Sequence, residues 1–268
     1  MALHELNLLL LSALCLALPA CATTTTQASK YQDRTVEMGG KSYQYKVYVP
    51  ADWSADKKWP VILYLHGAGE RGDDNIAQTR VGLGPALARN ENLASVVVLP
   101  QCSRGRWWPE VDMRDLALAA LNQSIKEFNG DPERVYLTGI SMGGYGTWAV
   151  ARAQPEKFAA LAPVCGGVRP PPGIPTLSDT VEATSESNPY LAVALRVGKT
   201  PVWVFHGDED RTIPVEESRK MVEALKSVGG NVRYSEYKGV PHNSWDRAYA
   251  EPEFFLWLLA QRRPSPGK

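Results

Sequence analysis

The sequence has few histidines, few cysteines and no excess of charge of either sign. Lysine plus arginine and aspartate plus glutamate number 29 each, so the formal net charge is zero. No basic run is present that would bind phosphates, which argues against a nucleic-acid partner. The four cysteines and four histidines show no spacing typical of zinc ligands. We therefore expect no metal and no organic cofactor, and any catalytic groups should be ordinary polar side chains.

The N-terminus carries an apolar stretch, LNLLLLSALCLALPA at 6–20, which is too short for an ordinary membrane-spanning helix. It ends in small residues, as a secretory signal peptide does, although it lacks Lys and Arg. Leu18-Pro19-Ala20-Cys21 resembles a bacterial lipobox, in which Cys21 becomes the lipidated first residue. We predict a lipoprotein-type signal peptide over 1–20 and export, with a lipid anchor facing the periplasm or cell exterior. Plain secretion is the alternative.

The rest of the chain alternates between apolar strands and amphipathic helices. Residues 21–34, which include a Thr-rich stretch, are predicted to form a tether, and residues 35–264 a single catalytic domain. Two β-prone runs around Gly39-Gly40 predict an antiparallel hairpin. The following runs predict an α/β fold with a doubly wound, mostly parallel sheet. The strands are placed at 61–65, 96–99, 135–137 and 202–205, and the helices at 115–128, 142–153, 215–228 and from 254.

Two cysteines lie within the predicted domain. Cys102 and Cys165 would be exposed to an oxidising compartment after export, where a disulfide is feasible. Free cysteine is also a common core residue, and we lean towards two buried thiols.

A serine between a strand and a helix is the strongest chemical signal. Gly139-Ile140-Ser141-Met142-Gly143 follows the strand at 135–137 and opens an Ala-rich helix, the context of a nucleophile elbow. The Met142 amide, at the helix start, is predicted to donate to a developing oxyanion. The second donor is expected to be the amide of Ala68, in the small-residue loop after the strand at 61–65.

Ser141 needs a general base, and the histidines are few enough to eliminate one by one. The elbow fold orders its residues as nucleophile, acid and then histidine. His4 lies in the leader and His66 precedes Ser141. No good acid at a strand end separates His206 from Ser141. His242 is therefore the predicted base, and His66 and His206 are interpreted as strand-end residues that bond to backbone or line the site.

The acid that orients His242 is Asp208 or Asp210, which both follow the strand at 202–205. Spacing alone does not choose between them. The acid must point inward and hold the tautomer of the histidine, whereas the other carboxylate would be a solvated loop charge.

Three tryptophans and one proline-rich segment are candidates for the walls of the site. Trp107 and Trp108 are adjacent in a loop beyond a strand, so they either fill the core or line an apolar pocket. We assign them, with Trp245, to the substrate pocket. The segment 168–188 is rich in Pro, Ser and Thr, and it is either a plain surface loop or a partial wall of the site.

Five segments together carry a resemblance to a known family. They are LHGAGERGDDN at 65–75, VVVLPQC at 96–102, VYLTGISMGGYGTW at 135–148, HGDEDRTIP at 206–214 and PHNSWDRAY at 241–249. They resemble bacterial α/β-hydrolases of the predicted peptidase and carboxylesterase group, related to polyhydroxybutyrate-depolymerase-like and feruloyl-type esterases. The resemblance implies an α/β-hydrolase fold. In that family the acid is the Asp of D-x-x-[VI]-P, which implies Asp210.

The sequence thus predicts a serine carboxylesterase that acts on a small-molecule or polymer-linked ester through an acyl-enzyme. The membrane would be contacted only through the N-terminal lipid. Two rival interpretations remain open: a serine peptidase that uses the same residues, and a non-enzymatic binding lipoprotein built on a hydrolase scaffold.

Overall fold

One sheet organises the part of the chain that the computed structural model describes, which is residues 30–90, 92–170 and 187–264. Its eight strands lie in the order β1-β2-β4-β3-β5-β6-β7-β8. The strands are β1 Tyr31–Met38, β2 Lys41–Tyr48, β3 Trp59–Leu65, β4 Val96–Pro100, β5 Gly130–Ile140, β6 Ala160–Val164, β7 Val202–Gly207 and β8 Val232–Tyr237. The helices are α1 Leu83–Arg89, α2 Val111–Glu127, α3 Met142–Ala153, α4 Pro189–Val197, α5 Glu216–Ser227, α6 Trp245–Ala248 and α7 Phe254–Ala260.

The sheet is mostly parallel, as the alternation of strands and helices predicted. Strands β3 to β8 pair in parallel, whereas β1 pairs with β2 and β2 with β4 in antiparallel. The predicted hairpin is confirmed, with Met38 opposite Lys41 across the Gly-Gly turn. Strand β1 begins at Tyr31 rather than at residue 35, because pairing with β2 continues as far as Tyr48. The last four residues of the predicted tether therefore belong to the sheet.

Helices cover both faces of the sheet, which is why the central strands are apolar throughout. Residues on β3 are all fully buried, and they alternate between two core clusters because successive side chains point to opposite faces. Val61 and Leu63 pack on the side of α2, α3, α4 and α5, whereas Ile62 and Tyr64 pack on the side of α1, α6 and α7. Burial on both faces removes the polar-apolar alternation seen in half-exposed strands.

The carboxyl ends of the parallel strands meet at one edge, where ligand sites of open α/β sheets lie. His66 follows β3, Ser141 follows β5 and Cys165 follows β6. Asp210 lies just beyond β7, and His242 lies in the loop after β8. The topology thus gathers residues that are up to 176 positions apart in the printed sequence.

Several sequence predictions fall outside the described residues. The signal peptide over 1–20, the lipidation site Cys21 and the rest of the tether up to residue 29 lie there, as do residues 171–186 of the proline-rich segment. Within the ranges that the structure describes, no helix is long and apolar enough to cross a membrane. Cys102 and Cys165 are buried free thiols.

Candidate active site

Ser141 lies at a strained turn between β5 and α3. Its φ of 52° and ψ of −116° place it in a region that non-glycine residues rarely adopt. The backbone at the start of α3 lies so close to the end of β3 that only glycine fits at position 143. A Cβ on Gly143 would lie 1.9 Å from the carbonyl oxygen of Leu65. The Ser141 amide donates to the carbonyl of Val164 at 3.0 Å, which ties the turn to β6. Strain of this kind costs on the order of 1–3 kcal/mol and is typically kept where a side chain must be presented to a ligand.

His242 connects Ser141 to Asp210. Its Nε2 lies 2.9 Å from Oγ of Ser141 and its Nδ1 lies 2.7 Å from Oδ2 of Asp210. A carboxylate can only accept, so Nδ1 carries the proton and donates it to Asp210. Nε2 is then a free acceptor for the Ser141 hydroxyl. The histidine side chain is 22% exposed, so a substrate or water can reach it.

Asp210 is an ionised carboxylate whose side chain is completely buried. Its Oδ1 accepts the amides of Thr212 and Ile213, both at 2.9 Å. Burial by itself would raise the pKa of Asp210, but hydrogen bonds from His206, His242 and the Ile213 amide outweigh it, and the pKa lies well below its usual range. The negative charge of Asp210 is therefore present at physiological pH.

Asp208, the alternative that spacing left open, points elsewhere. Its Oδ1 accepts the backbone amide of Gly239 at 2.6 Å. That contact joins the loop after β7 to the loop that carries His242. Two backbone hydrogen bonds reinforce this connection: the Asp208 amide donates to the Tyr237 carbonyl and the Glu209 amide to the Val240 carbonyl, both at 3.1 Å. In this structure Asp210 contacts the histidine and Asp208 fastens the loop beneath it.

The two predicted oxyanion donors belong to the two segments that adjoin Ser141, the start of α3 and the loop after β3. Met142 is the first residue of α3, where no helical carbonyl can accept its amide. Ala68 opens a short 3-10 turn, Ala68–Glu70, in the loop that follows β3. That loop passes next to the serine, since a Cβ on Gly67 would lie 3.7 Å from Cβ of Ser141. That both amides face the reacting carbonyl stays a prediction.

His66 holds the loop that contains Ala68. Its Nδ1 donates to the carbonyl of Gly67 at 2.6 Å, and its Nε2 accepts the amide of Cys102 at 2.9 Å. Burial lowers the pKa of His66 to about 4. The imidazole is therefore neutral at physiological pH, as its one donor and one acceptor contact require. The interpretation of His66 as a residue that bonds to backbone fits this geometry.

The three tryptophans occupy different environments. Trp108 is completely buried in the core, and its Nε1 donates to the carbonyl of His66 at 3.0 Å. Its assignment to the substrate pocket was wrong, because its ring supports the loop from below and has no open surface. Trp107 is half-buried, with the guanidinium of Arg71 5.2 Å from its ring centre. Trp245 meets the ring of His242 edge-on at 5.3 Å, so it remains a candidate pocket residue.

Sequence reasoning missed Glu70. The Glu70 carboxyl lies close to Gly67, on the same side as Ser141: a Cβ built on Gly67 would be 3.0 Å from Oε2 of Glu70. Burial raises the pKa of this carboxyl. Its only sequence signal was its position in the loop after β3.

Sequence reasoning also gave His206 no role with the acid. Its Nε2 lies 3.2 Å from Oδ2 of Asp210. Its signal was its place four residues before Asp210 across a tight turn.

One group of possible metal ligands occurs among the described residues. The ligand atoms of Cys165, Asp210 and His242 lie within 4.8 Å of one another. Burial raises the pKa of the Cys165 thiol to about 12, and a protonated thiol is a poor metal ligand. Asp210 and His242 are already bonded to each other, so the group is better suited to proton transfer than to holding an ion.

Comparisons with known proteins agree with this geometry. Residues 89–251, more than half of the chain, match the model of the dienelactone hydrolase family. A solved structure of a thermostable esterase is 33% identical with a TM-score of 0.72, over 87% of this chain and 64% of that one.

Two curated relatives extend the comparison. An uncharacterized secreted protein of Arthroderma benhamiae is 26% identical over 82% of this chain and 26% of its own length. Poly(3-hydroxyalkanoate) depolymerase C of Paucimonas lemoignei is 27% identical over 76% of this chain and 54% of its own. The chain thus spans less than two thirds of each protein compared.

The neutral, buried state of His66 makes a prediction about stability and pH. The pKa of this histidine is about 4 in the folded chain and about 6.5 when unfolded, so the unfolded state binds a proton between these values and the folded state does not. The free energy of unfolding should therefore fall by about 3 kcal/mol as the pH drops from 6.5 to 4. Urea unfolding of the wild type and of His66→Gln across this window measures it. The variant should show a flatter dependence, and equal slopes in the two proteins would contradict the assignment.

Proposed function

The chain belongs to the dienelactone hydrolase family of α/β-hydrolases, and on that premise we propose that it hydrolyses carboxylic esters through an acyl-enzyme on Ser141. The observation that carries the proposal is the continuous hydrogen-bonded line from Ser141 through His242 to Asp210, with separations of 2.9 and 2.7 Å. A nucleophile, a base and an orienting acid within hydrogen-bond distance are the requirements of acyl transfer.

In the proposed first half-reaction, Oγ of Ser141 attacks the ester carbonyl while Nε2 of His242 takes the hydroxyl proton. Asp210 stabilises the imidazolium that forms. The negative oxygen of the tetrahedral intermediate accepts the amides of Met142 and Ala68, and each such donor typically contributes about 100- to 1,000-fold in rate. The intermediate collapses as Nε2 returns the proton to the leaving alcohol.

In the second half-reaction, water takes the place of the alcohol. His242 removes a proton from the water as it attacks the acyl-enzyme carbonyl, and the same two amides stabilise the second intermediate. Collapse releases the carboxylic acid and returns the proton to Oγ of Ser141. These steps balance with the chain's own residues and need no cofactor.

The names of the relatives support an ester rather than an amide substrate. The solved structure is that of an esterase by name, and the depolymerase is named for cleavage of poly(3-hydroxyalkanoate). We expect the acyl part of the ester to contact Trp245, which lies beside His242, or Trp107, which lies near the loop of Ala68. A serine peptidase on the same residues is the second candidate, and parallel assays of an ester and the matching amide separate the two.

Export and lipid anchoring form a separate proposal that rests on the leader. Cys21 follows Leu18-Pro19-Ala20, and one relative is named a secreted protein. Expression of the full chain in a Gram-negative host should yield protein in the membrane fraction with a lipid-modified Cys21, as seen by mass spectrometry of the N-terminal peptide. Cys21→Ala should abolish the modification. Unmodified, unprocessed protein in the cytoplasm would contradict both parts.

Replacement of the nucleophile tests the central proposal. Ser141→Ala removes the oxygen that would carry the acyl group, so hydrolysis of p-nitrophenyl acetate should fall by roughly a million-fold, to near background. The wild type should be labelled by a fluorophosphonate at Ser141 and the variant should not. Retained esterase activity in the variant would refute the mechanism, and a wild type that neither labels nor hydrolyses would favour the non-enzymatic binding lipoprotein.

The two aspartates of the β7 loop provide a matched pair. Asp210→Asn removes the charge that orients His242 and should lower kcat on the order of 10,000-fold. Asp208→Asn keeps an oxygen that can accept the Gly239 amide, so its kcat should fall far less than that of Asp210→Asn. Steady-state kinetics on the same ester compares them, and a larger loss in Asp208→Asn would exclude Asp210 as the acid.

A further inference from the structure

We propose that His206 is a positioning residue for the proposed reaction: it contacts Oδ2 of Asp210, the same oxygen that His242 contacts, and so sets how strongly that carboxylate binds the His242 imidazolium. The inference rests on the proposed function. It goes beyond the Ser141, His242 and Asp210 line by adding a second imidazole to the same carboxylate.

The contacts of His206 determine which nitrogen carries its proton. Its Nε2 lies 3.0 Å from the carbonyl oxygen of Ile213 and 3.2 Å from Oδ2 of Asp210. A carbonyl and an ionised carboxylate can only accept, so Nε2 must be protonated. The ring is completely buried, which excludes water as an alternative partner for that face.

The other nitrogen of the ring fits either charge state. Nδ1 of His206 lies 2.7 Å from Oγ of Ser218 on α5, and a hydroxyl can donate to a bare nitrogen or accept from a protonated one. The proton that His206 gains or loses is therefore the one on Nδ1. The donor that faces Asp210 is present in both states.

His206 completes the coordination of the buried acid. Oδ1 of Asp210 receives two backbone amides, and Oδ2 receives the rings of His242 and His206. The one hydrogen on Nε2 of His206 is shared between Oδ2 and the Ile213 carbonyl, so this contact is the longest of the four that Asp210 receives. Without His206, Oδ2 would share its electrons with His242 alone, and the carboxylate would stabilise the His242 imidazolium more strongly.

Three further titratable groups interact with His206 or Asp210: Glu236, Cys165 and Tyr145. Glu236, opposite His206 on β8, is paired with Arg219 at 2.6 and 2.9 Å. Burial raises the pKa of the Cys165 thiol to about 12 and also raises that of Tyr145, both of which feel the charge of Asp210. The carboxylate of Asp210 is therefore the acid through which His206 acts.

A pair of variants that differ by one methylene group tests the contact. The amide nitrogen of His206→Gln falls near the position of Nε2 and can still reach Asp210, whereas that of His206→Asn falls near Nδ1 and cannot. For His206→Asn we expect kcat on p-nitrophenyl acetate about 10-fold lower, because the carboxylate of Asp210 loses a hydrogen bond that fixes its direction towards His242, and this loss of alignment outweighs the tighter ion pair; KM should change little. The acidic limb of its pH profile should move up by about 0.5 pH units, because a carboxylate freed from His206 holds the protonated form of His242 more tightly.

The remaining variants separate positioning from general loss of packing. His206→Gln should recover most of kcat and return the acidic limb to its wild-type position. Ser95→Ala serves as the control, since it removes a buried hydroxyl that donates to the Pro60 carbonyl at the amino end of β4, and it should leave the profile unmoved. A His206→Asn variant whose acidic limb stays in place, or a His206→Gln variant that loses as much as His206→Asn, would overturn the proposal.

A measurement on the wild-type protein covers the case in which a variant fails to fold. Nitrogen-15 NMR of labelled histidines reports which ring nitrogen is protonated. Nε2 of His206 should remain protonated from pH 5 to 9, and an unprotonated Nε2 would refute the inference. This readout needs no turnover, so it is independent of the outcome for Ser141→Ala.

Discussion

A buried negative charge without a matching cation must be satisfied by hydrogen-bond donors, and the carboxyl edge of this sheet is arranged around one such charge at Asp210. Its four donors come from the backbone of its own loop, from the end of β7 and from the loop after β8. Each contact fixes one segment relative to the others. The same arrangement keeps the acid ionised and holds His242 in the tautomer that can accept a proton from Ser141.

The second constraint is steric. The turn at Ser141 requires Gly143, which lets the start of α3 approach the end of β3, and the parallel pairing of β3 with β5 holds the strand before the turn in register. Packing on two faces supports the strained serine, since β5 is central and α3 is buried along most of its length. The loop that contains Ala68 is held by hydrogen bonds from Trp108 to the His66 carbonyl and from the His66 ring to the Gly67 carbonyl. The candidate site is thus made of loops, but each loop is fastened to the sheet.

Much of this could be predicted from the sequence because it depends on local pattern. Fully apolar runs predicted parallel strands buried on both faces, and the sheet has them. The hairpin at Gly39-Gly40 follows from glycine tolerance of positive φ, which the structure confirms at 57° and 74°. The turn around Ser141 could also be predicted, because the apolar strand, the small-residue turn and the helix that form it follow one another within about 20 residues of sequence. Elimination among four histidines needed only chain order and the position of acidic residues after predicted strands.

What local pattern could not decide depends on contacts between distant segments. Spacing does not separate Asp208 from Asp210, although the family resemblance implied Asp210; the approach of the β8 loop aims Asp210 at His242 and Asp208 at Gly239. Trp108 was placed in the pocket because adjacent tryptophans look alike in sequence, whereas packing against His66 buries it. His206 acquired a partner only through the turn after β7. The sequence by itself determined the fold class and the serine; tertiary structure decided which carboxylate, which indole and which imidazole face the site, because side-chain direction is set by neighbours that are remote in the chain.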